Sequence, residues 1–261
     1  MLKTNQLYQG DCLQLFPQVD SESVDLIVTS PPYNCGIEYD EYNDNLNWDD
    51  YLAWVAKWLA ECCRVLKPDG RMCLNILCEM TTEQGSKRVS PFAEYYSMAK
   101  DIGFGMAGFP VWADRTRTRN TAWGSWLSPT APYIYMPYEM VMILYKDTWF
   151  KSGIGKRWTI NQDDFIMGCS GVWDISPESQ QKTKANFPVA LAKLCIDLLS
   201  FEGDLVLDPF GGSGTTAVAC VESKRRYILM ELSGRYHQVA VERVRDSIPP
   251  MTFLEMKGGV L

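Results

Sequence analysis

Apolar residues along the chain form two kinds of run, which alternate from one end to the other. Continuous runs are typical of strands buried on both faces of a sheet. Strand patterns of this or a shorter kind occur in NQLYQGD, SVDLIVT, GRMCLNIL, FGMAGFPVW, YEMVMILYK, GDLVLD and RRYILMEL. Helical spacing of apolar residues occurs in NWDDYLAWVAKWLAECCRVL, PFAEYYSMAKDIGF, NFPVALAKLCIDLLS, TTAVACVES and GRYHQVAVERVRDS. The alternation predicts an α/β fold with a mainly parallel, doubly wound sheet covered by helices.

Local signals mark the ends of two of these helices. Asn47 is predicted to cap the first long helix, and Pro68 with Gly70 to stop it. Pro188 is predicted to lie in the first turn of the helix that begins in NFPVALAKL.

Two long segments interrupt the alternation. Residues 113–137 are rich in Arg, Thr, Trp and Pro, and residues 147–172 are rich in Gly, Lys, Asn and Asp. Long irregular segments in a compact domain are usually functional or disordered, and the tryptophans here argue against disorder. The sequence therefore predicts a core domain made of residues 1–112 and 173–261. Residues 113–172 form insertions around a core strand near 138–146.

Charge and composition narrow the classes of partner. The 261-residue chain carries a formal net charge of −7, so its overall field does not attract nucleic acid. Nucleic-acid binding would need local basic patches, and candidates are Arg115, Arg117 and Arg119, then Lys151, Lys156 and Arg157, then Lys182 and Lys184. No apolar stretch is long enough to cross a bilayer and no signal-peptide layout is present, so a cytoplasmic protein is expected.

The cysteines and the histidine give no metal-binding pattern. Nine cysteines are present without a C-x-x-C pair, and His237 is the only histidine. We therefore expect reduced, mostly buried thiols and no zinc site.

The segment LVLDPFGGSGTTAVA predicts a strand, a glycine-rich turn and a helix. Glycines at 211, 212 and 214 let the backbone turn tightly and approach a ligand at the carboxyl end of a strand. Gly212, Gly214 and Ala217 also satisfy G-x-G-x-x-A, so a nicotinamide or flavin dinucleotide fits on spacing alone. Asp208 would repel a pyrophosphate, however, and it could pair with an ammonium group. A ligand with an amino acid end and a ribose, S-adenosylmethionine, suits the loop better, with Glu231 holding the ribose.

A second unusual turn, TSPPYN, ends the strand SVDLIVT. Each proline fixes φ and removes an N–H, so the stiff backbone presents only carbonyls. The Ser30 hydroxyl and the Pro31 carbonyl can accept hydrogen bonds, and Tyr33 offers a flat ring. Together they predict a slot for a planar group that carries an amine.

These two turns together resemble those of the amino-methylating DNA methyltransferases, which modify N6 of adenine or N4 of cytosine. That family carries a (D/N/S)-P-P-(Y/F/W) catalytic motif, here Ser30, Pro31, Pro32 and Tyr33, and an F-x-G-x-G cofactor loop, here 210–214. The catalytic motif precedes the cofactor loop, as in the permuted β-type group. The resemblance implies a Rossmann-like methyltransferase fold, with the insertions at 113–172 acting as a target-recognition region.

The resemblance also implies S-adenosyl-L-methionine as cofactor, double-stranded DNA as partner and no metal. It assigns the cofactor to residues on several motifs, namely Asp11, Phe187, Asp208, Phe210, Gly212, Gly214, Thr215 and Glu231. DNA contacts are predicted at one residue beside the catalytic motif and at the basic clusters, namely Asn34, Arg115, Arg117, Arg119, Lys156 and Arg157. A homodimer and a cognate restriction endonuclease are compatible with this interpretation.

The sequence leaves several activities open. Ser before Pro-Pro is commoner among the cytosine-N4 enzymes of the family, so N4 of cytosine is favoured over N6 of adenine. Methylation at cytosine C5 is disfavoured because no Pro-Cys pair occurs. The remaining alternatives are an RNA or protein-glutamine methyltransferase, a nicotinamide-dependent dehydrogenase and a non-catalytic DNA-binding module. The expected setting is the cytoplasm of a bacterium or archaeon, with a phage gene as another source.

Overall fold

The computed structural model describes residues 1–37, 41–81, 88–113, 124–134, 136, 138–178 and 187–248. Its strands are β1 (Gln6–Gln9), β2 (Val24–Thr29), β3 (Leu66–Leu77), β4 (Met80–Thr81), β5 (Arg88–Val89), β6 (Gly105–Gly108), β7 (Val111–Trp112), β8 (Glu139–Tyr145), β9 (Val172–Trp173), β10 (Leu205–Asp208) and β11 (Arg226–Glu231). Its helices are α1 (Cys12–Leu15), α2 (Trp48–Val65), α3 (Pro91–Ile102), α4 (Gln162–Gly168), α5 (Val189–Leu199), α6 (Thr215–Glu222) and α7 (Gly234–Ser247).

The main sheet follows the order β1-β11-β10-β2-β3-β8-β7-β9, and β6 also pairs with β8. The strands β1, β11, β10, β2 and β3 are parallel, whereas β8 runs antiparallel to β3. The prediction of a mainly parallel α/β sheet is therefore confirmed. Because parallel strands end at the same edge, the turns after β1, β2, β10 and β11 meet at the carboxyl edge of the sheet.

The sheet is covered on both faces. One apolar core lies between the sheet and α2 and α3, and includes Tyr51, Trp58 and Tyr95. The other lies beneath α5 and α6 and includes Trp112 and Trp173. In the described part of the chain, no helix is long and apolar enough to span a bilayer.

The helix ends agree in part with the sequence signals. The Asn47 side chain accepts a hydrogen bond from Asp49 N, which confirms the predicted cap of α2. The helix ends at Val65, and Pro68 and Gly70 lie within β3, where its register with β2 is irregular. Pro188 is the N-cap of α5, so its prediction in the first turn was wrong by one position. Its φ of −72° suits either place.

The segment that follows β8 lies at the amino edge of the sheet. The Lys151 ammonium is 3.0 Å from an Asp25 carboxylate oxygen just inside β2. Lys156 pairs with Asp204, which directly precedes β10. The segment also contains α4, which the sequence did not predict because its seven residues give too little apolar periodicity.

Candidate active site

A cavity of about 190 Å³ opens at the carboxyl edge of the sheet. It is lined by the turns after four parallel strands, by one side chain of α2 and by the start of α7, namely Gly10, Asp11, Cys12, Ser30, Pro32, Glu41, Tyr42, Trp54, Pro209, Phe210, Gly212, Glu231, Leu232, Ser233 and Tyr236. The glycine loop and the proline turn, about 180 residues apart in the sequence, thus share one cavity.

Glu231 ends β11 and connects the strand to the glycine loop. Its carboxylate accepts hydrogen bonds from Gly212 N at 2.7 Å and from Ser233 N at 2.8 Å. Burial raises the pKa of Glu231 to about 7, and the nearby carboxylates of Asp208 and Glu41 act in the same direction, whereas the two N–H donors oppose them. The cavity therefore holds a carboxylate that titrates near neutral pH.

The glycine loop needs its glycines for two different reasons. Gly212 has a φ of +51°, and a Cβ there would have no atom closer than the Phe210 carbonyl oxygen at 3.9 Å, so its backbone faces open space. Gly214 has a φ of +82°, and a Cβ there would lie 3.0 Å from the Ala240 Cβ. Gly212 lines the cavity, while Gly214 lets α7 pack against the start of α6.

Aromatic side chains form one wall of the cavity. The ring of Phe210 packs against Trp54 with centroids 5.5 Å apart, and edge-on against Trp58 at 5.1 Å. The ring centroid of Tyr42 lies 5.6 Å from the ring centroid of Trp54. This wall gives a planar apolar group a surface for contact.

Asp208 lies beneath the cavity and does not line it. Its side chain is 1 % exposed and accepts hydrogen bonds from the Thr29 and Thr216 hydroxyls at 2.7 and 2.6 Å. A third bond comes from Phe210 N at 3.0 Å. Burial raises the pKa of Asp208 to about 6. Its oxygens join the tips of β2 and β10 to α6, and its predicted contact with the ligand stays a prediction.

Three other residues expected at the cofactor lie in different surroundings. Asp11 lines the cavity and caps α1 through a bond from Leu13 N at 2.9 Å. Phe187 does not line the cavity and packs on the core beneath α5. Thr215 is buried, and its hydroxyl accepts a hydrogen bond from Arg243 at 3.0 Å.

The proline turn divides its residues between the cavity and the interior. Ser30 and Pro32 line the cavity, and Pro31 is buried. The Pro32 carbonyl accepts a hydrogen bond from the Tyr51 hydroxyl at 2.9 Å. The Ser30 Oγ lies 2.7 Å from the Tyr33 hydroxyl. The turn is thus held from behind and presents Ser30 to the cavity.

Comparisons with known proteins agree with this arrangement. The family model described as DNA methylase, of the N6/N4 methyltransferases, matches residues 24–242. The chain belongs to this DNA methylase family. It is an S-adenosylmethionine-dependent DNA methyltransferase that acts on an exocyclic amino group, which sets aside the dehydrogenase and the non-catalytic DNA-binding module.

Individual relatives cover the methylase to different extents. The Type II methyltransferase M.MjaVI of Methanocaldococcus jannaschii is 40 % identical over 162 residues, which are 62 % of this chain and 81 % of the relative. M.BamHI of Bacillus amyloliquefaciens is 33 % identical over 253 residues, 92 % of this chain and 57 % of the relative. A modification methylase structure from Thermus thermophilus, complexed with S-adenosyl-L-methionine, has a TM-score of 0.76 at 27 % identity and covers 94 % of this chain and 95 % of its own.

The methylase does not bring all its expected DNA-binding residues to the cavity. Asn34 is buried with a φ of +58°, and its side chain bonds the backbone of Leu46 through both polar atoms. Lys156 and Arg157 lie at the amino edge, where Lys156 pairs with Asp204 and the Arg157 carbonyl accepts from Glu202 N. None of these three residues lines the cavity, and their contacts with DNA stay predictions. The other predicted contacts, Arg115, Arg117 and Arg119, lie outside the described residues.

Several cavity residues of the methylase were missed by the sequence interpretation. Glu41 and Tyr42 reach the cavity because Asp44 folds their loop back, accepting bonds from Asn34 N and Ile37 N at 2.8 and 3.0 Å. No local pattern indicated that fold. Trp54 was visible only as one aromatic of the α2 pattern. Among the described residues, no group of three or more His, Cys, Asp or Glu side chains could hold a metal ion.

Proposed function

We propose that this methylase transfers the methyl group to N4 of a cytosine within a specific double-stranded DNA sequence. The observation that carries the proposal is the shared cavity, which Ser30, Gly212 and Glu231 all line. Serine before Pro-Pro supports cytosine over adenine, through the family pattern in which Thr-Ser-Pro-Pro-Tyr is commoner among N4 enzymes. N6 of adenine is the alternative.

We assign the cofactor to the glycine-loop side of the cavity. The Glu231 carboxylate suits a ribose diol, and the open backbone at Gly212 suits close approach of a chain that carries an amino acid group. The wall formed by Phe210 and Trp54 suits apolar parts of the ligand. When bound there, S-adenosylmethionine supplies the methyl group.

The proline turn would position the target amine. An exocyclic amine is a poor nucleophile because its lone pair is delocalised into the ring, and two acceptors that draw its N–H groups favour a pyramidal nitrogen. The acceptor that lines the cavity is the Ser30 hydroxyl, because the Pro32 carbonyl already accepts from Tyr51. The Pro31 carbonyl, the second acceptor that the motif predicts, belongs to a buried residue and stays a prediction. Positioning of this kind can contribute about 7–11 kcal/mol.

The base must leave the duplex to reach this cavity, at a cost of a few kcal/mol. Beside the carboxyl edge, exposed apolar side chains are available to contact the opened duplex, namely Trp126, Leu127, Tyr133, Ile134 and Met136. Arg88 anchors this group, because its guanidinium lies 4.6 Å from the centroid of the Tyr133 ring and donates to the Ile134 carbonyl at 2.7 Å. Arg88 begins β5, and β3, which precedes β4 and β5 in the chain, pairs with β2 up to Thr29, the residue before Ser30.

We therefore narrow the proposed target-recognition region to residues 113–138. The strand β8 is part of the central sheet, and β9 joins the same sheet beside β7. Residues 147–161 cover the opposite edge, as their contacts with Asp25 and Asp204 show. Of the described residues of the 113–172 insertion, those from 124 to 138 precede β8, whose first residue pairs with the last residue of β3.

The base is tested by mapping modified nucleosides in DNA from cells that express this protein alone. We expect N4-methylcytosine in one sequence context, and protection of that DNA from a restriction endonuclease of the same specificity, its proposed partner. A Ser30→Ala variant serves as the control that abolishes the signal. N6-methyladenine in place of N4-methylcytosine would overturn the cytosine assignment, and methylated RNA or protein without methylated DNA would overturn the substrate class.

A further inference from the structure

A chain of polar groups extends from Ser30 into the protein, away from the cavity. The Tyr33 hydroxyl, 2.7 Å from Ser30 Oγ, also lies 3.1 Å from the Asn75 carbonyl oxygen and 3.2 Å from a Glu139 carboxylate oxygen. The Asn75 side-chain amide donates to the same Glu139 oxygen at 2.5 Å and to the Tyr33 hydroxyl at 3.2 Å. These hydrogen-bonded polar groups therefore link the cavity to Glu139, the first residue of β8.

The partners of Tyr33 determine which way its hydrogen bonds run. A phenol has one hydrogen to donate, and both a carbonyl oxygen and an ionised carboxylate act only as acceptors. Either hydroxyl can donate in the 2.7 Å contact between Ser30 and Tyr33. The arrangement that supplies a donor to the Asn75 and Glu139 oxygens has Tyr33 donating inward and Ser30 donating to Tyr33. In that arrangement the Ser30 lone pairs are available to the cavity.

Glu139 lies in surroundings that make a carboxylate costly. It is 7 % exposed at the start of a strand whose next five residues, Met140–Leu144, are buried and apolar. Burying a charge is unfavourable unless hydrogen bonds compensate for the lost water. Asn75 is 4 % exposed, and it turns its amide toward Glu139 although this leaves its buried Oδ1 without a hydrogen-bond partner. Two polar side chains are thus retained in an apolar layer directly behind the cavity.

We propose that Glu139 is a positioning residue for methyl transfer: acting through the Tyr33 hydroxyl, it fixes Ser30 as a hydrogen-bond acceptor for the target amine. Asn75 orients the Glu139 carboxylate. The inference rests on the proposed function only in that the substrate group held by Ser30 is an amine, which donates and so requires an acceptor. The identity of the base does not enter it.

The test is a double-variant cycle measured by single-turnover transfer at saturating cofactor and DNA. Glu139→Gln keeps the size of the side chain but adds an amide donor, so Tyr33 can direct its hydrogen back to Ser30. Tyr33→Phe keeps the ring and removes the link. We expect each variant to lower the rate at least tenfold, and the double variant to be no slower than the slower single variant. Affinity for S-adenosylhomocysteine and for DNA should change less than threefold.

A merely structural role gives a different pattern. Two independent losses would multiply in the double variant, and damage to the fold would lower cofactor affinity together with the rate; either result overturns the proposal. Asp197→Asn is the matched control, because it removes another buried carboxylate that bonds Lys193 and Thr159 at the far edge. It should leave the rate unchanged. If Glu139→Gln does not fold, Asn75→Ser, which removes the orienting amide, takes its place in the cycle.

Failure of this inference is distinguishable from failure of the proposed function. The cycle uses any duplex that the wild-type protein methylates, whichever base carries the product. Adenine methylation would overturn the cytosine assignment and leave the cycle intact. If the rate losses of the two single variants multiply in the double variant while the product is N4-methylcytosine, only the role of Glu139 is overturned.

Discussion

At the scale of single residues, the site depends on carboxylates whose burial is only partly compensated. Asp208 and Glu231 end neighbouring strands, and burial raises the pKa of both. The sequence indicated that both belonged to the site, because Asp208 ends the strand before the glycine turn and Glu231 ends the next strand. It did not indicate that one would be covered by Thr29 and Thr216 and the other left at the cavity. That difference depends on side-chain contacts between segments far apart in the chain.

The raised pKa of Glu231 predicts a pH dependence of cofactor binding. Because its pKa is about 7, the Glu231 carboxyl is protonated in most molecules at pH 6 and ionised in most molecules at pH 8. The ionised form accepts from both ribose hydroxyls, whereas protonation turns one of its oxygens into a donor and weakens this interaction. The dissociation constant for S-adenosylhomocysteine, measured by calorimetry, should therefore rise about tenfold from pH 8 to pH 6.

Two controls accompany this prediction. In Glu231→Gln the affinity should be weaker and independent of pH over the same range. A carboxyl whose pKa is raised on folding stabilises the protein at low pH and loses that contribution as the pH rises through the folded-state value. The ligand-free protein should thus become less stable across the range in which affinity increases. A wild-type affinity that does not change between pH 6 and pH 8 would contradict the role given to Glu231.

At the scale of elements, different inserted segments lie at the two edges of the sheet: the 124–132 loop at the carboxyl edge, and the segment with Lys151 and Lys156 at the amino edge. The loop at 124–132 extends beside the carboxyl edge and is closed by a bridge between Gly124 and Pro132 and by a Ser125 N to Ala131 O bond of 3.0 Å. Its tip carries Trp126 and Leu127, which are 71 % and 87 % exposed. A braced loop with an apolar tip suits contact with unstacked bases.

This loop predicts a variant that affects DNA and leaves the cofactor alone. Replacing both Trp126 and Leu127 with Ala should weaken binding to the cognate duplex about tenfold or more, since stacking contributes about 1–3 kcal/mol per base. Affinity for S-adenosylhomocysteine should stay unchanged. Trp158→Ala is the control, because Trp158 is equally exposed at the amino edge. If the Trp126/Leu127 double variant binds the cognate duplex as tightly as the Trp158→Ala variant does, the 124–132 loop is not part of the DNA interface.

Most elements were predictable because their patterns are long and periodic. The buried runs of β2, β3, β8, β10 and β11 and the apolar stripes of α2 and α3 appear in the expected order. Short elements were not: α4 has seven residues, and β9 has two, which pair with β7. Such elements are stabilised by tertiary contacts, and so local patterns do not reveal them.

At the scale of the whole molecule, the site exists because the sheet brings distant turns to one edge. The two turns themselves were visible in the sequence, since proline and glycine constrain the backbone locally. The recurving loop that carries Glu41 and the polar chain to Glu139 were not, because both depend on contacts between separate segments. Motifs could therefore predict the chemistry, and only the fold revealed what supports it.

The central claim is that a single cavity at this edge holds both the cofactor and the target base. A crystal structure with S-adenosylhomocysteine and a duplex containing the mapped target tests it most directly. We predict the cofactor against Gly212 and Glu231, and the exocyclic nitrogen of an extrahelical base within hydrogen-bond distance of Ser30 Oγ. A base bound in a different cleft, with Ser30 contacting neither ligand, would contradict the account.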